Sequence, residues 1–506
     1  MLNESQNIAY IYDVKRNNRK KRTALLAFLL LVLPSLVWAA RISDNDITRW
    51  VKDALRRDAR VDALNLNVTT TEGIVALSGS VDNLAAKTYA VLEAKKIDGV
   101  LGVLNEIQVL PNWRSDADIR NAVYRRILNS AVINSDGIST GCVDGRVTLS
   151  GKVASYSEKK EADLLAGEIR GVKEVTNNIT IEWATQRSNQ AIKNDAVAAL
   201  TRDVYVAELP IAVMVDDAVV TLRGTVGSAY EKDRAGSDVR WIANVKDVKN
   251  QLKVEWLESE GVRKEKPSLS DTELKETVHN ALVQDIRLNT SDIDLVVAYG
   301  GVTLKGSVYS HYEKRIAEQD AHDVVGVGWV TNNLFVRTDS REDWAILDDV
   351  KFNLATDVTT EALDINVNVA NGVVTLSGNV NTWFERLHAE SIVDKVKGVR
   401  NVINHIEVYP ETTRLHASAM VAKDMKEQFK KNWTLRGVSD RIAVSVKDGV
   451  ATLTGTVDTW AQRRQAEEIA YKTQGVWKID NRLQVKGYDY NWSDWYHAGE
   501  YPWYLP

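Results

Sequence analysis

The sequence is almost without cysteine: Cys142 is the one thiol in 506 residues. That excludes an intrachain disulfide and a cysteine-built zinc cluster. Beside a hairpin turn, such a residue reads as a small, half-buried side chain. Proline is scarce too, at seven, and the 44% hydrophobic and 26% charged content is that of a folded chain. Positive charge is not in excess, since 64 Lys and Arg face 69 Asp and Glu for a net charge of −5. A nucleic-acid partner calls for a basic face, so that class is set aside. The seven histidines are scattered, and none falls in an H-E-x-x-H pair. A G-x-S-x-G elbow and a phosphate-binding glycine loop are both missing. These absences point away from an enzyme, and no cofactor, metal or small-molecule substrate is expected.

What is there is a repeat, written six times. Its most regular mark is a glycine: Gly79, Gly151, Gly224, Gly306, Gly378 and Gly455. An alternating apolar run precedes each, such as Val374, Leu376 or Val302, Leu304, and predicts a strand with one buried face. Upstream lie turn pairs, Asp144-Gly145, Gly300-Gly301, Asn371-Gly372 and Asp448-Gly449, that supply the positive φ of a tight hairpin. Glu72-Gly73 matches less well, and Asp217-Ala218 predicts a different turn in the third copy. The repeated glycine itself is expected to make backbone room inside a strand.

Four residues after each glycine stand Asn83, Ser155, Ser228, Ser310, Thr382 and Thr459, all good N-caps. Glu158, Glu231, Glu313, Glu385 and Gln462 then complete a capping-box pattern in five copies, while Ala86 breaks it in the first. The helix so opened carries a basic column (Lys87, Lys159, Lys232, Lys314, Arg386, Arg463) and an alanine column beginning at Ala90. It stops at Gly99, Gly171, Gly326, Gly398 and Gly475, with Asn244 in the third copy. A last strand follows, marked by Asn105, Asn177, Asn250, Asn332, Asn404 and Asn481, and a short amphipathic helix precedes each hairpin. The predicted class is α+β: six tandem α-β-β-α-β units, each a three-stranded mixed sheet with two helices on one face.

This unit resembles the BON domain, a bacterial family named for osmotically inducible and nodulation proteins. The resemblance rests on the V-x-L-x-G-x-V strand, the capped helix and a closing segment such as Gly398-Val399-Arg400-Asn401-Val402-Ile403-Asn404. It covers nearly all of the chain after residue 43. It implies a periplasmic or envelope protein whose repeats associate with phospholipid membranes.

In chain order, a basic cluster ends at Arg22 and residues 23–38 are almost wholly apolar, with Val37-Trp38-Ala39 at the exit. The segment (1–40) reads as a secretory signal, the alternative being a retained inner-membrane anchor. No cysteine follows it, which speaks against a lipoprotein. The repeats span 43–110, 115–182, 188–256, 270–337, 341–409 and 413–486, strung as six beads. A charged linker, 257–269, is expected to be the loosest joint, between three repeats and three. The tail, 487–506, is dense in aromatics, including Trp492, Trp495 and Trp503. Such residues suit a membrane interface or a protein groove, or fold back on the last repeat.

The candidate contacts with a membrane or partner are the aromatics at the second-helix start and the bases that follow. They are Tyr312 with Lys314, Trp383 and Phe384 with Arg386, and Trp460 with Arg463. An aromatic beside a base can sit at a bilayer surface and reach phosphates. The alternative is that the aromatic packs on the sheet and the base pairs with an acid. The expected function is a non-catalytic periplasmic envelope protein, peripherally bound to phospholipid and supporting envelope integrity under osmotic stress. The alternatives are a scaffold for envelope proteins and an anchored inner-membrane sensor.

Overall fold

The computed structural model describes residues 42–486 except 59, 184, 208, 256–268, 338–340, 361–362, 410–417 and 474. The signal or anchor segment, the charged linker and the aromatic tail therefore lie outside the described residues, with Trp492, Trp495 and Trp503. Among the described residues, no helix is long and apolar enough to cross a membrane.

Repeat 5 shows how each unit forms. Its first helix, Asp343–Thr356, turns Ile346, Val350 and Leu354 inward at helical spacing. The hairpin Ile365–Ala370 and Val373–Val380 is antiparallel, and Asn401–Val408 joins Val373–Val380 in parallel on its other side. The second helix, Trp383–Asp394, is the crossover. Val374, Leu376, Ala389, Ile392, Val393 and Ile406 close the core between sheet and helices. Each large aliphatic side chain so buried contributes about 1.5–3 kcal/mol. The fold class is α+β, and the hairpin strand that follows the turn is central in every sheet.

The recurring glycines hold φ between 102° and 136°. A Cβ at Gly306 would lie 1.9 Å from the Asp292 carbonyl oxygen, and one at Gly378 2.2 Å from that of Asp364. No side chain fits there. The second-helix N-caps form in all six repeats, each side-chain oxygen accepting from the N–H three residues on. The reciprocal half of the box varies. Glu385 accepts from both Thr382 N and Asn381 N, whereas Glu231, Glu313 and Gln462 accept from the residue before the cap, Gly227, Tyr309 and Asp458.

The different turn expected in repeat 3 does not occur. Asp217 and Ala218 take φ of 45° and 59°, the same left-handed pair as Asn371-Gly372 at 54° and 74°. The shared hairpin register forces alanine into a conformation glycine takes freely. Asn244 accepts φ of 66° as expected, and its amide donates to Thr185 O.

Nor are the repeats separate beads. They interlock through five isolated bridges that join repeat 1 to 6, 2 to 5 and 3 to 4. The chain is paired like a nested hairpin, its ends outermost.

Candidate functional site

Two recurring columns serve each repeat's own fold. Arg386 donates to Ile406 O (2.9 Å) and Asn404 O (2.8 Å), and Arg463 to Leu483 O (3.1 Å) and Asn481 O (2.8 Å). Lys87 Nζ does the same to Ile107 O at 2.6 Å. The asparagine column answers: Asn332 Nδ2 donates to Lys314 O, and its Oδ1 accepts from Leu334 N. These bonds clasp the second helix to the last strand. Lys314 is half-buried, and Arg386 and Arg463 are only 7% and 2% exposed.

Two further columns escaped the sequence reading. At the first-helix start, Asp44, Asp116, Asp271 and Asp343 each accept both N–H groups of the hairpin turn, at 2.8 and 2.9 Å. Asn189 stands in that place in repeat 3, and Ser418 in repeat 6. At the first-helix end, Asp58, Ser130, Asp203, Asp285, Asp357 and Asn432 each accept from the backbone N–H two residues on. Their constant spacing from the glycines in repeats 1 to 5 was the available signal; repeat 6 is two residues longer there.

The aromatics at the second-helix start lie in seams between repeats. The six second helices are Leu84–Lys95, Tyr156–Gly167, Ala229–Arg240, His311–His322, Trp383–Asp394 and Trp460–Lys472. In repeats 4 to 6, each helix start meets the end of another helix. His311 Nδ1 lies 2.6 Å from Asp394, Trp383 packs on Tyr471 at 5.0 Å, and Trp460 stacks flat on His322 at 4.5 Å. That closes a triangle, 4 to 5 to 6 to 4. Repeats 1 to 3 close a second one: Leu84 abuts Gly167, Tyr156 hydrogen-bonds Arg240, and Ala229 N donates to Val100 O. Trp460 (7% exposed) is buried in these contacts, Tyr312 (5%) is buried beside Arg315 of its own repeat, and Trp383 and Phe384 are half-buried. Phe384 meets Tyr89 of repeat 1 edge-on at 5.9 Å. Arg386 and Arg463 stack over Trp383 and Trp460 at 4.8 and 4.6 Å.

Three two-fold pairs join the triangles. In each, the end of one repeat's first helix meets the end of its partner's second. Between 2 and 5 the exchange is fully reciprocal: Ala131 N to Lys395 O, Lys397 N to Asn129 O, Arg170 N to Thr356 O and Val358 N to Glu168 O. Two triangles and three pairs have the connectivity of 32 symmetry, built by one chain.

Buried charge fills the pairs. Between 1 and 6, Lys472 sits 2.7 Å from Glu468 and 2.8 Å from Glu93, and Lys96 2.8 Å from Glu468. Burial opposes the Glu93 charge, but Lys472, Lys96 and Arg60 outweigh it and hold the carboxyl at about 2. Between 2 and 5, Lys395 meets Glu161 at 2.6 Å and Arg126 meets Asp357 at 3.4 Å, while within repeat 5 His388 backs Asp357 at 2.9 Å. Burial disfavours the imidazolium, yet Asp357 prevails and lifts its pKa. Between 3 and 4, burial and the neighbouring aspartates push Asp238 and Asp320 well above the carboxylate range. Asp323 goes the other way: against burial, Arg234 at 2.8 Å and Arg464 at 2.9 Å hold it at about 2.

At the centre, where triangles and pairs meet, lies a chamber of about 1180 Å³ lined by all six repeats. Cys142 is half-buried, with Sγ 3.4 Å from Asp116 Oδ1. Burial and then Asp116 push its thiol up to about 11, leaving it inert at neutral pH.

The profile of the BON domain matches residues 43–111, 115–182, 188–255, 270–338, 343–410 and 419–487. Osmotically-inducible protein Y of Escherichia coli K12 is 29% identical over 145 residues, 27% of this chain and 72% of that protein. Outer membrane lipoprotein DolP of Haemophilus influenzae is 32% identical over 141 residues, 27% of this chain and 72% of that protein. Among solved structures, CdsD, a structural protein of the type III secretion system of Chlamydia trachomatis, is 17% identical with a TM-score of 0.13, covering 43% of this chain and 95% of that one. At that score the likeness carries no argument.

Proposed function

Because the chain belongs to the BON domain family, we propose that it is a non-catalytic protein of the bacterial cell envelope. It works from the periplasm, associates with phospholipid and supports the envelope under osmotic stress. The observation that carries this is the six-fold BON match, with relatives named as osmotically inducible and as an outer-membrane lipoprotein. The recurring polar columns also favour a non-catalytic role, because turns, caps and strand carbonyls occupy them.

The seams change where a lipid contact belongs. Trp460, Tyr312, Arg386 and Arg463 are interior, so the outer surface must supply it. Trp113 (89% exposed), Tyr299 (84%) and Trp344 (71%) stand there, and polar-ended aromatics suit the headgroup zone. The aromatic tail is the second source, and several weak contacts on one closed body add through effective concentration. Co-sedimentation of residues 40–506 with anionic and zwitterionic liposomes tests the reading, with and without residues 487–506. Binding to anionic vesicles that weakens without the tail, or on Trp113→Ala with Trp344→Ala, is the expected result. No pelleting with any lipid overturns the phospholipid half.

A further inference from the structure

The chamber has two unlike sides. At one position of the second helix, every repeat turns a side chain into it. Repeats 1 and 2 place Leu92 and Leu164 there; repeats 3 to 6 place Ser237, Gln319, Ser391 and Glu468. Leu84, Phe384 and Leu387 extend the apolar wall from repeats 1 and 5. Repeats 1, 2 and 5 are contiguous, through Leu84 against Gly167, the 2–5 pair and Tyr89 against Phe384. Leu164 remains 39% exposed although it lines an interior space. An apolar wall facing water inside a protein marks a surface shaped for something apolar.

The opposite side, repeats 3, 4 and 6, is charged, with Arg202, Arg234, Arg240, Arg287 and Arg464 set among Asp203, Asp238, Asp285, Asp320 and Asp323. Arg234, Arg287 and Arg464 hold aspartates. Arg202 and Arg240 do not; among the described residues neither is ion-paired. Arg202 donates to the Gln284 amide oxygen, and Arg240 Nε is buried without a hydrogen-bond partner. Asp238 and Asp320 stand nearby, and burial pushes both toward the neutral form. Guanidinium is the side chain suited to a planar carboxylate or a phosphate.

We propose that the chamber is a binding site for one single-chain anionic amphiphile, its acyl chain along Leu84, Leu92, Leu164 and Leu387 and its head at Arg202 and Arg240. A volume of about 1180 Å³ lies at the upper end of ligand pockets and admits one such molecule. The chemistry, an acyl chain ending in a carboxylate or phosphate, is shared by fatty acids and lysophospholipids. The site deepens the phospholipid reading, yet it stands apart from the surface contact.

The test is titration of the full mature chain with a dansyl-labelled fatty acid, read by fluorescence, with unlabelled fatty acid and lysophospholipid as separate competitors. Saturation at one probe per chain is expected, displaced by whichever competitor is the natural class. Leu164→Arg should weaken binding about tenfold or more, and Arg240→Gln by a smaller factor. Leu104→Arg, the same charge on the 55%-exposed outer sheet face, should leave binding unchanged. Should Leu164→Arg lose its melting transition, Leu92→Ser, which places the repeat 3 type of residue in repeat 1, replaces it and should still weaken binding severalfold. No saturable signal, or equal binding by a folded Leu164→Arg and a folded Leu92→Ser, overturns the proposal. The vesicle assay separates the two readings. Probe binding without vesicle binding upholds the chamber and sinks the surface reading; vesicle binding without probe binding does the reverse.

Discussion

The 1–6 and 3–4 seams share one two-fold contact but balance charge differently. In the first, Asp58, Glu93 and Glu468 face Arg60, Lys96 and Lys472, three against three. In the second, Asp203, Asp238, Asp285, Asp320 and Asp323 face Arg202, Arg234 and Arg287, with Arg464 added from repeat 6. The neutral network satisfies its members as ions, so Glu93 and Glu468 sit below the usual carboxylate range. The acid-rich one cannot, so Asp238 and Asp320 are driven toward protonation. The same backbone contact thus makes one seam that wants its charges and one that wants protons.

Removing a cation from the neutral seam should have the largest effect. Lys96→Ala leaves Glu468 and Glu93 short of a partner in a buried site and should cost about 3 kcal/mol. Hydrogen exchange should show lost protection around residues 93–98 and 431–436, with the 3–4 seam unchanged. Loss spread evenly over all three seams would break the comparison.

Acid should separate the seams next. The depressed Glu93 and Glu468 contribute stability that is present above their unfolded pKa, about 4.3, and is lost as pH falls toward about 2. The raised Asp238 and Asp320 contribute most when protonated, below an unfolded pKa of about 3.9, and that contribution is lost as pH rises through their folded values. His388 has the same sign: its stabilisation is full below about 6.5 and fades as pH rises through its raised value. Lowering pH from 8 toward about 5 should therefore tighten the 3–4 seam and firm repeat 5's own His388–Asp357 contact behind the 2–5 seam, and the 1–6 seam should open only below about 4. Crosslinking yields across each seam at several pH values check this order.

Asp238→Asn sharpens the contrast. The amide copies the protonated acid, so at pH 8 it should raise the melting midpoint, equivalent to about 1 kcal/mol, and flatten the acid gain. A lower midpoint would mean the carboxylate is needed ionised. Smallest is Ala218→Gly, which relieves the alanine at φ 59° and should stabilise repeat 3 by about 0.5 kcal/mol, because added glycine freedom offsets part of the gain. The same change should move the midpoint of the 3–4 pair alone.

The repeat itself was legible in the chain. A glycine that tolerates no Cβ, a capped helix and period-two strands act over a few residues, and local rules read them. That is why six units and their α+β class follow from sequence. Repeat 3 shows where local rules stop: Asp217-Ala218 lacks the turn glycine, yet the hairpin register imposes the same turn. The most divergent copy by those marks supplies Arg202 and Arg240 to the chamber.

The seams were not legible. Trp383 and Trp460 look the same in sequence whether they face a membrane or another repeat, because amphipathic spacing marks a buried face without saying what covers it. Asp58 and Lys472 lie hundreds of residues apart, and only the nested pairing brings them within 3.9 Å. The chain by itself determined the unit and its count. The tertiary structure decided which units pair, which charges must share a dry interface, and that six small cores enclose one chamber, since those outcomes depend on contacts between residues far apart in sequence.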